Sequence, residues 1–222
     1  FLEKTAILFF DIIDHYFHQK NILKFLNNNL KNIEIFFDVG SHKGTYTDLI
    51  MKNFQVGKVI MAEPQKNIYK FIKKKYFKKK NVIIYNAAIS DKNKIQTLYI
   101  NKHDLTSSLT RVDKKNKYLN LKAKLFGGTI NEMVLNKYSI KSYKLADVIK
   151  LNNVKKIDLL KIDTEGHELQ VLKGIGSYMK KNISYILIEF HNSDIFLDYD
   201  ALQIHKHLKK NNFVLKGAFK FP

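Results

Sequence analysis

Apolar residues along this chain follow two periods that take turns. Runs of strand length lie at residues 33–38, 58–63, 81–88, 156–163, 184–191 and 213–219. Between them, apolar residues recur at spacings of three and four, as helices require. Tyr46, Leu49, Ile50 and Phe54 form one such stripe, Ile68, Phe71, Ile72 and Tyr76 a second, and Ala201, Ile204 and Leu208 a third. Residues 164–173 read as a loop and helix closed near Gly174 and Gly176. Strands and helices alternating through short connections predict a doubly wound α/β fold. Its sheet is mostly parallel, with right-handed crossovers and helices on both faces.

Two regions depart from this rhythm. Residues 1–32 predict an N-terminal helical extension. Leu2, Ala6, Phe9, Phe10, Ile13 and Phe17 share one face of a first helix, and Ile22, Phe25, Leu26 and Leu30 belong to a second. Such stripes are expected to pack on their own domain rather than on a membrane. Residues 91–144 break the alternation. Residues 95–101 and 138–145 read as strands, the latter as an edge strand, around a polar, lysine-rich stretch. This is where a substrate-specific insertion belongs. The whole is expected to be a single domain over residues 1–222.

Composition narrows the possibilities. With no cysteine, a disulfide scaffold and a Cys-ligated zinc site are excluded. No apolar run approaches the ~20 residues that span a bilayer. Glu3, Lys4, Asp11 and Asp14 interrupt the first apolar stretch, so it does not read as a secretory signal, and a cytoplasmic location is expected. The start at Phe1 rather than Met suits an excerpt of a longer sequence. The net charge of +19 points to an anionic partner. Yet Arg111 is the sole arginine among 39 basic residues. Readers of nucleic acid favour arginine for bidentate contacts. The lysines read as a solvated coat, and no specific nucleic-acid partner is expected.

Candidate chemistry gathers at strand ends. Residues 35–44, IFFDVGSHKG, place Asp38 after a strand and Gly40 and Gly44 in the loop before a helix. Such a loop lets a ligand approach the backbone, and the helix start offers N–H groups to an anion. His42 stands where a dinucleotide G-x-G-x-x-G would need its second glycine. An acid before G-x-x-x-G is similar to the first motif of S-adenosylmethionine (SAM) methyltransferases. Glu63, 23 residues past Gly40, ends the second strand. An acid there can accept both ribose hydroxyls of NAD or SAM alike. Asp163 ends the fourth strand. Lys161, on the same strand face, needs a partner such as Asp163 or Glu189.

Residues 158–168, DLLKIDTEGHE, carry the sharpest signal. Lys161, Asp163, Glu165, Gly166, Glu168 and Gly174, with Asp38–Val39–Gly40, Glu63–Pro64, Asn86 to Ala88 and the run IEFH at 188–191, resemble the FkbM family of SAM-dependent methyltransferases. Ser41 and His42 stand where many relatives show Ala-Asn, and Ala146 precedes Asp147 where Leu-Asp-Asp is common. The resemblance implies a class I methyltransferase (Rossmann-like) fold and SAM as cofactor. It also implies methylation of a hydroxyl on a sugar, glycan or secondary metabolite. A sheet of that class carries a further strand antiparallel to the sixth.

In that role, SAM is expected against Asp38, Gly40, Ser41, Gly44, Glu63, Asn86, Ala87 and Asp163. Its carboxylate would meet N–H groups of residues 41–44, and its amino group Asp38. Asp163, Glu165, His167, Glu189 and His191 are the catalytic candidates beside the acceptor hydroxyl. A histidine base would make activity rise through a pKa near neutrality. A divalent cation such as Mg²⁺ is the less favoured route. Three alternatives stay open, the first two being an NAD-dependent oxidoreductase and a nucleic-acid methyltransferase or binding module suggested by charge alone. A non-catalytic protein of the same fold is the third.

Overall fold

A computed structural model describes residues 19–101, 107–117, 120, 121, 124, 129, 134–190, 195–197 and 199–219. The first expected helix therefore lies outside the described residues. The second is helix α1 (Gln19–Asn29). The chain then runs through β1 (Ile33–Val39), α2 (Thr45–Asn53), β2 (Val56–Ala62), α3 (Lys66–Lys75) and β3 (Val82–Tyr85). A second region holds β4 (Ala88–Ser90), β5 (Lys94–Asn101) and β6 (Val134–Lys144). The alternation resumes with α4 (Leu145–Leu151), β7 (Ile157–Ile162), α5 (Glu168–Ile175), a 3₁₀ turn (Gly176–Lys180), β8 (Ile183–Ile188) and α6 (Ala201–Lys210).

The main sheet has order β3-β2-β1-β7-β8, and every pairing is parallel. It is buried on both faces by residues of alternate parity. Phe36, Val59, Met61 and Leu159 face α1, α2 and α3 through Ile22, Leu26, Ile50 and Ile72. Their neighbours Phe37, Ile60, Ala62 and Leu160 face α4, α5 and α6 through Val148, Ile149, Leu172 and Ile204. This is the doubly wound α/β architecture that the alternation predicted.

Three elements differ from expectation. The apolar run 81–88 is not one strand: β3 joins the main sheet, and Ala88 onward turns away into a second sheet of order β4-β6-β5. Strand β6 is its middle strand, parallel to β4 and antiparallel to β5, not an edge. Residues 213–219 form no strand. They are tied at one end by the Phe213 N–H to the Leu208 carbonyl and at the other by Phe219 packed edge-on against Phe25. β8 is thus the outer strand of the main sheet, and all six of its residues are partly exposed.

Candidate active-site crevice

β1, β2 and β7 lie side by side, so their carboxyl ends bring Asp38, Glu63 and Asp163 together. A crevice of 2090 Å³ opens beside those ends and continues along β8 to residues 213–219. It exceeds the roughly 300–1,000 Å³ of a single-ligand site. Gly40, Ser41, Glu63 and Asp163 line it, as do Glu165, His167 and Glu189. Asp38, Gly44, Asn86 and Ala87 are not among the lining residues, whereas Ala88 and Ile89 are. His191 lies outside the described residues.

The loop after β1 is held by its own backbone. Gly40 and Ser41 N–H donate to the Ala62 carbonyl at 3.0 and 3.2 Å, and Gly44 N–H donates to the Ser41 carbonyl at 2.8 Å. Gly40 has φ of +78°, and a Cβ there would sit 1.7 Å from the Asp163 carbonyl oxygen. The glycine is required for β1 and β7 to converge at the crevice. Gly44, at φ +75°, has Tyr76 in the space a Cβ would take, and the Tyr76 hydroxyl donates to the Gly44 carbonyl at 2.9 Å.

Glu63 fastens two loops. Its Oε2 accepts from the His42 N–H at 2.9 Å and its Oε1 from the Gln65 N–H at 2.8 Å. The carboxyl is 3% exposed. Burial pushes it up to about 7, against the two N–H donors that favour the anion. Asn86, which sequence placed beside the cofactor, braces this corner, its side-chain amide donating to the Glu63 and Pro64 carbonyls.

Lys161 is 5% exposed near the carboxyl end of β7 and does find acids. Its ammonium donates to Asp163 Oδ2 at 2.9 Å and stands 3.9 Å from Asp38 Oδ1. The Tyr46 ring covers it, with 4.8 Å from Nζ to the centroid. Burial pushes this lysine down, but Asp163 and Asp38 together outweigh it and hold the charge above the ordinary range. Asp38 is fully buried and accepts from Thr47 Oγ1 at 2.7 Å. Burial raises its carboxyl, opposed by Lys161 and Thr47. Asp38 therefore anchors α2 and Lys161 from behind the crevice wall.

The turn after β7 is shaped by a residue that sequence marked only as part of a motif. Glu168 Oε1 accepts from the Thr164 N–H and hydroxyl, both at 3.0 Å, and from the Gly166 N–H at 3.2 Å. This bends Glu165 to φ +54° and Gly166 to φ +91°. Residues 107–113 grip the turn from outside. Ser108 Oγ donates to the Glu165 carbonyl, Thr110 Oγ1 to the Gly166 carbonyl at 2.9 Å, and Phe196 packs where a Gly166 Cβ would stand. No local pattern announces Ser108 and Thr110, because their partners lie 57 and 56 residues away.

His167 is 8% exposed, with Nε2 2.9 Å from Ser90 Oγ and Nδ1 3.5 Å from Thr110 Oγ1. Burial pulls its pKa down to about 4, so the ring is neutral at physiological pH. A base titrating near neutrality is therefore not found in this histidine. Glu189 follows β8 and is exposed at the crevice. Among the described residues, no group of three His, Asp or Glu is placed to hold a metal ion, and no helix is long and apolar enough to cross a membrane.

Comparison with known proteins matches this sequence to a family. No curated protein matches the sequence. Among solved structures, the chain is similar to a crystal structure of methyltransferase FkbM from Methylobacillus flagellatus KT, at 14% identity and a TM-score of 0.39. The similarity covers 65% of this chain and 29% of that one, so this chain spans less than a third of that protein. The family model of the methyltransferase FkbM domain matches residues 38–215, from the acid ending the first strand to the segment past α6, and the chain belongs to the FkbM methyltransferase family.

Proposed function

We propose that this domain transfers a methyl group from SAM to a hydroxyl on a sugar, glycan or small metabolite. The observation that carries the reading is Glu63. It is a buried carboxylate on the crevice wall, fixed by one N–H at each oxygen. Each oxygen keeps lone-pair capacity, and in its ionised form the carboxyl offers the acceptor pair that a ribose diol requires.

The surrounding residues fit SAM in some respects and revise its placement in others. Ser41 lines the crevice, and its Oγ is buried without a hydrogen-bond partner among the described residues. The N–H groups of Gly40, Ser41, His42 and Gly44 are already engaged. A ligand carboxylate would therefore meet the first turn of α2, from Thr45, rather than the loop itself. Asp163, paired with the Lys161 ammonium, is the lining acid for an ammonium group. Asp38 supports it indirectly.

When bound, SAM supplies an electrophilic methyl group. The chain's task is to place a hydroxyl in line with it and accept the proton. Asp163, Glu165 and Glu189 are the lining carboxylates for that role. His167, neutral and tied to Ser90, orients the acceptor side, and His191 joins the proposal from sequence alone. A metal-free route is favoured, and chelator treatment tests it, since loss of turnover restored by Mg²⁺ would require the cation. The reading is tested by incubating the protein with methyl-labelled SAM and a panel of sugars and hydroxylated metabolites. Label on a hydroxyl is expected. Label found only on amines or nucleic acid would overturn the assignment.

A further inference from the structure

We propose that the outer face of α3 and the turn after it form a docking surface for an anionic lipid membrane. Residues 66–80 contain eight lysines and no acid. Lys75 is occupied by Asp48. The other seven, Lys66, Lys70, Lys73, Lys74, Lys78, Lys79 and Lys80, are exposed. A lysine run alone is a solvated coat. What distinguishes this one is two aromatic rings turned outward within it: Phe71 is 52% exposed and Phe77 73%.

The placement follows from the helix. Ile68 and Ile72 face the core of the main sheet. Phe71 and Lys74 lie three residues apart on α3, beside and beyond its buried face, and Phe77 and Lys78 follow in the turn past its C-cap Tyr76. Rings and ammonium groups are thus interleaved on this surface. The Lys78 ammonium lies 5.6 Å from the centroid of the Phe77 ring. Lysine stems cover apolar surface while their heads reach for charge. Basic residues beside a membrane gain from an anionic surface, and aromatic rings enter the headgroup boundary. Nucleic acid is the other polyanion, but arginine, the side chain that grips phosphate and bases bidentately, does not occur in residues 66–80.

The lysine-rich end of α3 is tied to the loop after β1: the Lys75 ammonium donates to the Lys43 carbonyl and the Tyr76 hydroxyl to the Gly44 carbonyl, both at 2.9 Å. Lys43 lines the crevice, so docking through that end sets the crevice beside the membrane surface.

The experiment is co-flotation of the whole protein with vesicles of phosphatidylcholine alone, or of phosphatidylcholine with phosphatidylserine, at physiological ionic strength. Binding to the mixed vesicles alone is expected, falling as salt rises. The Phe71→Ser, Phe77→Ser double variant should lose about tenfold or more in partitioning, from the burial of two rings. Lys74→Glu with Lys78→Glu should abolish it. Unchanged thermal melting would show that each variant is folded, which the exposure of these side chains predicts. The proposal is overturned if the parent ignores the mixed vesicles, or if the double phenylalanine variant binds them as the parent does. It is also overturned if a DNA duplex displaces the vesicles and its own binding needs the same two rings.

Discussion

Replacing Glu63 by glutamine should tilt the pH dependence of folding stability. The reason is that two buried groups oppose each other in this site. Glu63 is raised from 4.5 to about 7, so the folded protein holds a proton that the unfolded chain has released. Its contribution is full below pH 4.5 and is lost as pH rises through about 7, a span worth about 3 kcal/mol. His167 is lowered from 6.5 to about 4, so folding expels a proton. Its contribution is full above pH 6.5 and is lost as pH falls through about 4, again worth about 3 kcal/mol. Between pH 4.5 and 6.5 the two slopes nearly cancel in the parent. Glu63→Gln removes one of them, so the variant should become more acid-labile relative to the parent by roughly 1.4 kcal/mol per pH unit in that window. Urea unfolding across this range measures it. The amide's constant cost, from an amino group facing a backbone donor, shifts the curve but leaves its slope. Parallel stability profiles for parent and variant would refute the reasoning.

Other substitutions probe the frame around the crevice. Gly40→Ala should destabilise by more than about 4 kcal/mol, since a Cβ at φ +78° meets the Asp163 carbonyl at 1.7 Å. A thermal melt near the parent's would show that β1 and β7 do not converge as described. Lys161→Met should cost about 3–5 kcal/mol by removing the buried cation that stands between the Asp38 and Asp163 carboxylates, and denaturant titration reads it. Glu168→Gln should impair turnover more than stability, because Oε1 shapes the Thr164–Gly166 turn on the acceptor side; equal kcat with a lowered melting temperature would assign it a structural role only. Among the lining acids, at least one of Asp163→Asn, Glu165→Gln and Glu189→Gln should slow methyl transfer by about 10²-fold or more, and rates within a few-fold for all three would move the base elsewhere.

Much of this architecture was legible in the sequence because it rests on local signals. Strand-length apolar runs fixed β1, β2, β7 and β8 to within two or three residues, and Asn211 caps α6 where the stripe of Ala201, Ile204 and Leu208 ends. What escaped depends on partners far along the chain. The run 81–88 is uniformly apolar, and nothing local says that Ala88 leaves for another sheet. Residues 213–219 alternate like a strand, yet a strand needs a neighbour, and β8 does not supply one to them. Strand β6 was read as an edge because its alternation was visible while its two partners, β4 and β5, were not. In the site, the acids were found by their position at strand ends. Which of them face a ligand and which brace the protein was not readable, because Asp38, Asn86 and Glu168 look alike as polar residues until their hydrogen bonds are counted.

The central claim is that the crevice at the ends of β1, β2 and β7 is a SAM site. Calorimetric titration of the parent and of Glu63→Ala with SAM and with NAD tests it most directly. The account predicts that SAM binds the parent, that NAD does not, and that Glu63→Ala weakens SAM by about 1.5–3 kcal/mol, the range for hydrogen bonds to a charged group. NAD binding in place of SAM, or an unchanged SAM affinity in a folded Glu63→Ala protein, would contradict it.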